Sequence, residues 1–271
     1  MKTVILTASP RSGTTAFRGL LEDHPQVAAL GEIFHDSYLN DANFYYHYYL
    51  RRIREHPDVA LPTEENIAAI FTGYIQHLSE SYRIAEKADE WLLLSVNYNS
   101  LHNLNTFWQD FYKPPHILKV VRDSRYHTIH MVRRSVLRTA ISERRAKLTG
   151  VWHLMEGQSR PLEATKRVTV EPQSLLAELR ARRLEIALVE AAFDGYPLCL
   201  TIEYEKFFDD DGHPVPEVVR RVADFLDLSQ PIKLETRFRR TRGASLRESV
   251  ENYDALAEVL RATEFASELD P

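Results

Sequence analysis

Short apolar runs alternate with longer amphipathic stretches along this chain. An unbroken apolar run is typical of a strand covered on both faces, whereas apolar positions three and four apart are typical of a helix. The apolar runs predict strands at residues 3–8, 26–32, 91–97, 116–121, 126–132 and 196–204. The amphipathic stretches predict helices at residues 15–23, 40–56, 63–82, 99–112, 133–148, 173–194, 215–227 and 250–262, with loops at 150–172 and 228–248.

This order of elements predicts an α/β fold, in which a parallel sheet is flanked by helices, because strands that alternate with helices usually form parallel sheets. No linker rich in Pro, Gly or Ser, no repeat and no low-complexity segment divides the sequence. We therefore expect one domain over residues 1–271, with largely helical insertions at about residues 33–90 and 150–195.

The composition is that of a folded globular protein. Hydrophobic residues make up 44% and charged residues 27% of the chain, which excludes a disordered protein, and 9 Gly residues exclude a collagen-like one. No apolar run is long enough for a transmembrane helix, and the N-terminus does not resemble a signal peptide. The lone cysteine, Cys199, excludes a disulfide framework and a cysteine-clustered zinc site. These features predict a protein of the cytoplasm or of the cytoplasmic face of a membrane.

Charge is distributed unevenly along the chain. The net charge of −5, from 34 basic and 39 acidic residues, does not indicate a nucleic-acid-binding protein. Residues 131–150, however, hold six basic residues and one acidic residue, and residues 236–250 hold five Arg and one acidic residue. In an otherwise acidic chain such clusters are either local anion or partner sites or solvated helix faces.

The segment Ser9–Thr15 (SPRSGTT) joins the first predicted strand to the first predicted helix and has the chemistry of a phosphate-binding loop. Gly13 allows the backbone to approach an anion, and the N–H groups at a helix N-terminus attract it. Arg11 adds a positive charge, and Thr14 and Thr15 add hydroxyl donors. The loop is not a Walker A P-loop, because it lacks the leading Gly and the Lys. The alternative interpretation is an ordinary capped turn.

Arg134 and Ser142 form a second candidate anion site. They are eight residues apart, a little over two helical turns, so both can lie near one helix face. An Arg and a hydroxyl that converge there suit a phosphate. Because Arg and Ser are common at this spacing, the pair supports a phosphate site only in combination with the loop at Ser9–Thr15.

The two motifs, in this order, resemble those of the sulfotransferases that use 3′-phosphoadenosine 5′-phosphosulfate. Residues 10–15 (PRSGTT) resemble the 5′-phosphosulfate loop of that family, and residues 130–142 (HMVRRSVLRTAIS) resemble its 3′-phosphate motif. Residues 202–205 (IEYE) and 223–226 (ADFL) are similar to its C-terminal strand and helix. Residues 247–253 (RESVENY) resemble the tail of the bacterial carbohydrate sulfotransferases, the trehalose and nodulation-factor kind.

The resemblance implies a P-loop NTPase-like parallel sheet and in-line transfer of a sulfuryl group in one step. By analogy with phosphoryl transfer, the arginines supply the stabilising charge and no metal is needed, with Arg11 acting on the departing phosphate. The residues implied for donor binding are Arg11, Ser12, Gly13, Thr14 and Thr15 for the 5′-phosphosulfate, Arg134, Ser142, Arg240, Arg242 and Gly243 for the 3′-phosphate, and Tyr204 for the adenine.

Glu32, in the segment Leu30–His35 (LGEIFH), is the candidate general base. The carbohydrate branch has a similar Gly-Glu pair, and a carboxylate within hydrogen-bond reach can take the proton of an attacking hydroxyl. His35 is the competing base, and a helix-cap or surface carboxylate is the alternative interpretation of Glu32. The cytosolic relatives use a His near the third strand, but here that strand ends at Asn97, where many carbohydrate-type relatives carry a Lys.

The acceptor is expected to be the hydroxyl of a carbohydrate or glycolipid. The aromatic run at residues 44–49 (FYYHYY) suits either core packing or stacking on an acceptor, and its i,i+4 pairs favour packing. Trp152 and His153, in an irregular segment, are better candidates for an acceptor loop. No metal site is expected, because His127 and His130 point to opposite faces of a strand.

Two other functions compete with sulfuryl transfer. A nucleotide-dependent kinase on the same kind of fold would need a P-loop Lys and Mg²⁺ ligands, and neither has a clear candidate in the sequence. A non-enzymatic adaptor would use the two arginine clusters to hold an acidic partner. The identity of the acceptor, homo-oligomer formation and peripheral membrane association are left open.

Overall fold

A five-stranded parallel sheet forms the centre of the protein. The computed structural model describes residues 1–84, 90–104, 114–152, 166–209, 212–234 and 245–269. The sheet has the order β2-β3-β1-β4-β5, and every neighbouring pair is parallel. The α/β sheet of the P-loop-like kind, as predicted, is therefore confirmed. Its strands are β1 (Lys2–Ala8), β2 (Val27–Leu30), β3 (Trp91–Asn97), β4 (His127–Val132) and β5 (Cys199–Glu203).

Helices connect the strands and cover both faces of the sheet. The long helices follow the predicted amphipathic stretches closely, whereas several short ones lie at strand ends. The helices are α1 (Thr14–Glu22), α2 (Tyr45–Glu55), α3 (Glu64–Ile84), α4 (Tyr98–Leu104), α5 (His116–Asp123), α6 (Val136–Thr149), α7 (Pro172–Phe193), α8 (Tyr204–Phe207), α9 (Pro216–Phe225), α10 (Leu246–Ser249) and α11 (Tyr253–Arg261), with 3₁₀ turns at Asp36–Tyr38, Pro57–Ala60 and Ala266–Glu268.

The predicted strand at residues 116–121 is wrong, because this segment forms helix α5. Its apolar residues stand at i, i+1, i+3 and i+4, a spacing that also fits one face of a helix, and all four are buried: Ile117, Leu118, Val120 and Val121. On the exposed side, Lys119 pairs with Asp123 across one helical turn at 2.8 Å. A short apolar run does not by itself distinguish a strand from a helix.

The two faces of the sheet carry separate hydrophobic cores, which explains the unbroken apolar strands. Along β1, Ile5 packs on one face with α3, α5, α6, α7 and α11, whereas Leu6 packs on the other face with α1 and α9. The packing interpretation of the aromatic run is confirmed for Phe44 and Tyr45, which are both buried.

The carboxyl ends of β1, β3 and β4 lie side by side. Ala8 pairs with Asn97 of β3 and with Met131 of β4, so the loops after these three strands begin at one edge of the sheet. Ligands of open α/β sheets bind at this edge. Among the described residues, no helix is both long and apolar enough to cross a membrane.

Candidate active site

The loop after β1 turns tightly into the N-terminus of α1. The hydroxyl oxygens of Ser9 and Ser12 are 2.9 Å apart, and both residues are buried. Arg11 and Gly13 have positive φ values of 67° and 82°, in the left-handed region. A Cβ atom at Gly13 would lie 2.9 Å from the ring of Tyr204, so only glycine fits there. Thr14, which is buried, then begins α1.

No side chain within the described residues caps α1, and its first turn holds no acidic residue. The N–H groups of a helix N-terminus carry partial positive charge and need an acceptor. At α1 they lie directly beside the buried Ser12 and the turn at Gly13. The loop therefore has the local geometry of an anion-binding site, as the sequence predicts.

The side chain of Arg11 is held in place by two other segments. Its Nε donates a hydrogen bond of 3.2 Å to Oγ of Ser142, and its Nη1 donates to the backbone carbonyl of Trp152. The Cζ of Arg11 also lies 5.9 Å from the centre of the Trp152 ring. Burial, and then the nearby Arg133, lower the pKa of Arg11. An arginine remains protonated in proteins, so this is a fixed positive charge in a partly desolvated position.

Arg133, which is not among the predicted site residues, belongs to the same cluster. Its Nη1 donates a hydrogen bond of 2.8 Å to the carbonyl of Arg11, and its Cζ lies 4.6 Å from the centre of the Tyr204 ring. Tyr204 in turn packs against Gly13. Arg133 therefore connects the end of β4 to the loop after β1. Nothing in the sequence separates it from the adjacent Arg134.

The structure gives Arg134 and Ser142 different partners. Ser142 contacts Arg11, whereas Arg134 forms ion pairs with Glu190 at 2.8 Å and with Glu203 at 3.5 Å. The side chain of Arg134 is 47% exposed. The described contacts therefore do not connect the two residues to each other, although both lie at the carboxyl edge of the sheet.

Carboxylates of the protein occupy the start of α6. Glu205 accepts hydrogen bonds from the backbone N–H groups of Arg134 and Ser135, at 3.2 and 3.1 Å. Glu268 accepts from the hydroxyl of Ser135 at 3.1 Å and from the N–H of Leu137 at 2.8 Å. The negative charge that a helix N-terminus favours is therefore supplied here by the chain itself.

Glu32 lies just after β2 and is half-buried. A Cβ atom at the preceding Gly31 would clash with the hydroxyl of Tyr38, so a larger residue there would require the Tyr38 side chain to move. Within the described ranges, no hydrogen bond or ion pair engages the Glu32 carboxylate. His35 differs, because its Nδ1 accepts from the N–H of Ser37 at 3.2 Å and lies 2.9 Å from the Asp36 carboxylate. One ring nitrogen of His35 is therefore already engaged locally.

Asn97 ends β3 directly beside the loop after β1. It is only 5% exposed, and its Oδ1 has no hydrogen-bond partner among the residues that the structure describes. The hydroxyl of Thr7, on the neighbouring strand β1, likewise has no partner among these residues. The amide of Asn97 thus lies where the resemblance implies a Lys in many relatives.

Several predicted site residues fall outside the described residues: His153, Arg240, Arg242 and Gly243. Thr15, the second residue of α1, is half-buried. Across the described ranges, no cluster of three or more His, Cys, Asp or Glu residues has the arrangement of a metal site.

A family model described as the sulfotransferase family matches residues 3–231, most of the chain. The chain belongs to the sulfotransferase family. No curated protein sequence matches it. Among solved structures, this sulfotransferase is similar to the sulfotransferase domain from the Synechococcus PCC 7002 olefin synthase, at 16% sequence identity and a TM-score of 0.41, over 85% of this chain and 74% of that one. None of these similarities points to a carbohydrate acceptor.

Proposed function

We propose that this sulfotransferase moves a sulfuryl group from 3′-phosphoadenosine 5′-phosphosulfate to a hydroxyl of a carbohydrate or glycolipid-like acceptor. The observation that carries the proposal is the uncapped N-terminus of α1, beside which Arg11 is fixed by Ser142 and Trp152. This arrangement suits the 5′-phosphosulfate, because backbone N–H groups and a fixed guanidinium both favour a group of anionic oxygens. The residues that would hold it are Arg11, Ser12, Gly13, Thr14 and Thr15.

Arg11 has the position to stabilise the charge that develops during transfer. The donor supplies the sulfuryl group together with a phosphate that departs from it. Because Arg11 is partly desolvated and already oriented, its charge acts strongly and needs no rearrangement. Arg133 contributes indirectly, since its bond to the carbonyl of Arg11 fixes the loop.

For the 3′-phosphate we retain Arg134 and Ser142, with Tyr204 near the adenine. Arg134 would exchange its pairs with Glu190 and Glu203 for the phosphate. The exchange is favourable on general grounds, because half-exposed ion pairs contribute about 0–1 kcal/mol, whereas a charge-assisted hydrogen bond contributes about 1.5–3 kcal/mol. The segment with Arg240, Arg242 and Gly243 would add further contacts.

Calorimetric titration of adenosine 3′,5′-bisphosphate against adenosine 5′-monophosphate tests the donor. Two separate anion sites predict that the bisphosphate binds about 10- to 150-fold more tightly, the equivalent of one charge-assisted contact. Equal affinities would show that no 3′-phosphate site exists. Tighter binding of ATP with Mg²⁺ would favour a kinase, and no binding of any nucleotide would favour an adaptor.

Glu32 is proposed as the base that takes the acceptor proton. The substitution Glu32→Gln keeps the size of the side chain but removes the basic oxygen, so kcat is expected to fall by about 10²- to 10⁴-fold while nucleotide affinity stays unchanged. The matched variant is His35→Ala, which should remain active if Glu32 takes the proton. The reverse pattern would identify His35 as the base.

A further inference from the structure

Trp152 is an exposed aromatic residue at the edge of the candidate active site. Its side chain is 42% exposed, and among the residues that the structure describes the other exposed large hydrophobic side chains are leucines. It follows Gly150, which ends α6 in the left-handed conformation. An exposed indole on a connecting segment is suited to contact a ligand.

The position of Trp152 is fixed relative to Arg11. Its backbone carbonyl accepts a hydrogen bond from Nη1 of Arg11, and its ring centre lies 5.9 Å from the Arg11 Cζ. The distance is within the range of a cation–π contact, which orients the ring as well as the backbone. The indole therefore presents a flat apolar surface beside the guanidinium that, in the proposed function, faces the sulfuryl group.

In-line transfer restricts where the acceptor can lie. The attacking hydroxyl must approach sulfur on the side opposite to the departing phosphate, and near-attack geometry requires a separation of about 3–3.5 Å. Because Arg11 is placed beside the departing phosphate, the acceptor lies on the far side of sulfur from the guanidinium. Its distance from the guanidinium is then comparable with the 5.9 Å that separates the Trp152 ring centre from the Arg11 Cζ. Flat aromatic rings stack on other rings but gain little from a flexible chain.

We infer that Trp152 is an acceptor-binding residue, and that it selects acceptors whose hydroxyl is carried on a ring over acyclic alcohols. This inference rests on the proposed function and restricts the class of acceptor that the proposed function allows. A sugar ring with an apolar C–H face and a phenol share the required chemistry. The hydrogen bond from Arg11 to the backbone carbonyl of Trp152 persists when the side chain is removed, so Arg11 stays anchored and the substitution tests the acceptor more than the nucleotide.

The test uses the full chain with saturating adenosine 3′,5′-bisphosphate and three probes: trehalose, p-cresol and sorbitol. Saturation-transfer NMR measures the contact of each probe with the protein and needs no turnover. We expect at least one ring-bearing probe to contact the protein. Its affinity should fall by about tenfold in Trp152→Ala and should be retained in Trp152→Phe. Sorbitol should show no difference between the variants. Trehalose and p-cresol distinguish a sugar from a phenol.

Leu148→Ala is the matched control, because Leu148 is an exposed apolar side chain, 52% exposed, at the end of the same helix. It should leave the affinity of every probe unchanged. Equal affinities in Trp152→Ala and the unsubstituted protein, equal losses for ring-bearing and acyclic probes, or no contact with either ring-bearing probe would overturn the inference. A change in bisphosphate affinity in Trp152→Ala would also overturn it. Failure of the bisphosphate to bind the unsubstituted protein would instead overturn the proposed function.

Discussion

Two helices begin at the same edge of the sheet, α1 after β1 and α6 after β4, and they differ in what occupies their N-termini. Within the described part of the chain, no side chain caps α1. The first turn of α6, in contrast, is approached by Ser135, Glu205 and Glu268. Within the described residues, no side chain of the protein therefore caps the N-terminus of α1, whereas the N–H groups at the start of α6 are bonded to carboxylates of the protein.

This difference between the two N-termini indicates two ways of binding phosphate, one through backbone N–H groups and one through side chains. In the sequence both regions are simply motifs with an Arg and hydroxyl residues. The loop after β1 offers backbone N–H groups, and its glycine at φ 82° is required for that geometry. The segment after β4 offers side chains, because its backbone donors are bonded to Glu205. We therefore expect substitutions at the loop after β1, and of Arg133, which holds that loop, to affect the chemical step, and substitutions of Arg134 to affect nucleotide affinity.

Within this comparison of the two regions, the largest expected effect is that of Arg11→Ala, which removes the fixed charge beside α1. We expect kcat at saturating donor to fall by about 10²- to 10³-fold, the usual effect of removing one preorganised donor to a developing charge. Initial rates with labelled donor measure it. Arg220→Ala, on the exposed face of α9, is the control and should have no effect. An unchanged kcat in Arg11→Ala would show that the charge does not develop at this loop.

Arg134→Ala tests the second region. The donor KM should rise by about 10- to 150-fold with little change in kcat, because the 3′-phosphate is remote from sulfur and its contacts are the same before and during transfer. The neighbouring variant Arg133→Ala should instead lower kcat, since Arg133 fixes the carbonyl of Arg11. If Arg134→Ala lowered kcat and left the donor KM unchanged, the assignment of Arg134 to the 3′-phosphate would be wrong.

A buried histidine beneath the second region makes stability depend on pH. Burial, and then Arg134, lower the pKa of His130 to about 4, and its Nε2 is hydrogen-bonded to the hydroxyl of Tyr98. The unfolded chain binds a proton at His130 more readily than the folded protein does. The free energy of unfolding is therefore highest above the unfolded pKa of about 6.5, and it decreases as the pH falls towards 4.

Between pH 7 and 5.5 we expect a loss of about 1 kcal/mol from this residue. Urea unfolding at both pH values measures it. His130→Gln serves as the comparison, because it removes the titrating group and should reduce the difference between the two pH values. An equal pH dependence in both proteins would contradict the assignment to His130.

The smallest expected effect is that of Glu205→Gln. Glutamine keeps an accepting oxygen for the N–H groups of Arg134 and Ser135 but removes a negative charge near the proposed 3′-phosphate. Removing a repulsion of about 1 kcal/mol should tighten bisphosphate binding by up to about fivefold, measured by calorimetry at low salt. Tenfold weaker binding would show that Glu205 positions Arg134 instead of repelling the ligand.

Much of the sheet could be predicted from the sequence, because its buried strands are continuous apolar runs. The exception at residues 116–121 shows the limit of that pattern, since Ile117, Leu118, Val120 and Val121 fit one helix face equally well. The start of the long helix α3 could also be predicted, because its first turn holds the acidic residues Glu64 and Glu65.

The candidate site could be predicted only in part. The loop at Arg11 and Gly13 has a local signature, because a tight strand-to-helix turn depends on adjacent residues. The contact between Arg11 and Ser142 and the role of Arg133 depend on how distant segments pack, and consecutive residues at the end of a strand point in different directions. The sequence alone therefore could not show that Arg133 contacts the loop of Arg11 whereas Arg134 does not.

The central position of β1 has a consequence for synthesis of the protein. Six of its seven residues are buried, yet Lys2 pairs with Trp91 and Val4 with His127. At translation rates of about 5–20 residues per second, the first partner strand is made roughly 5 to 20 s after β1. During that time an apolar strand has no sheet to join and is prone to aggregate. Holdase chaperones and lower growth temperatures should therefore raise the yield of folded protein more than stronger expression does.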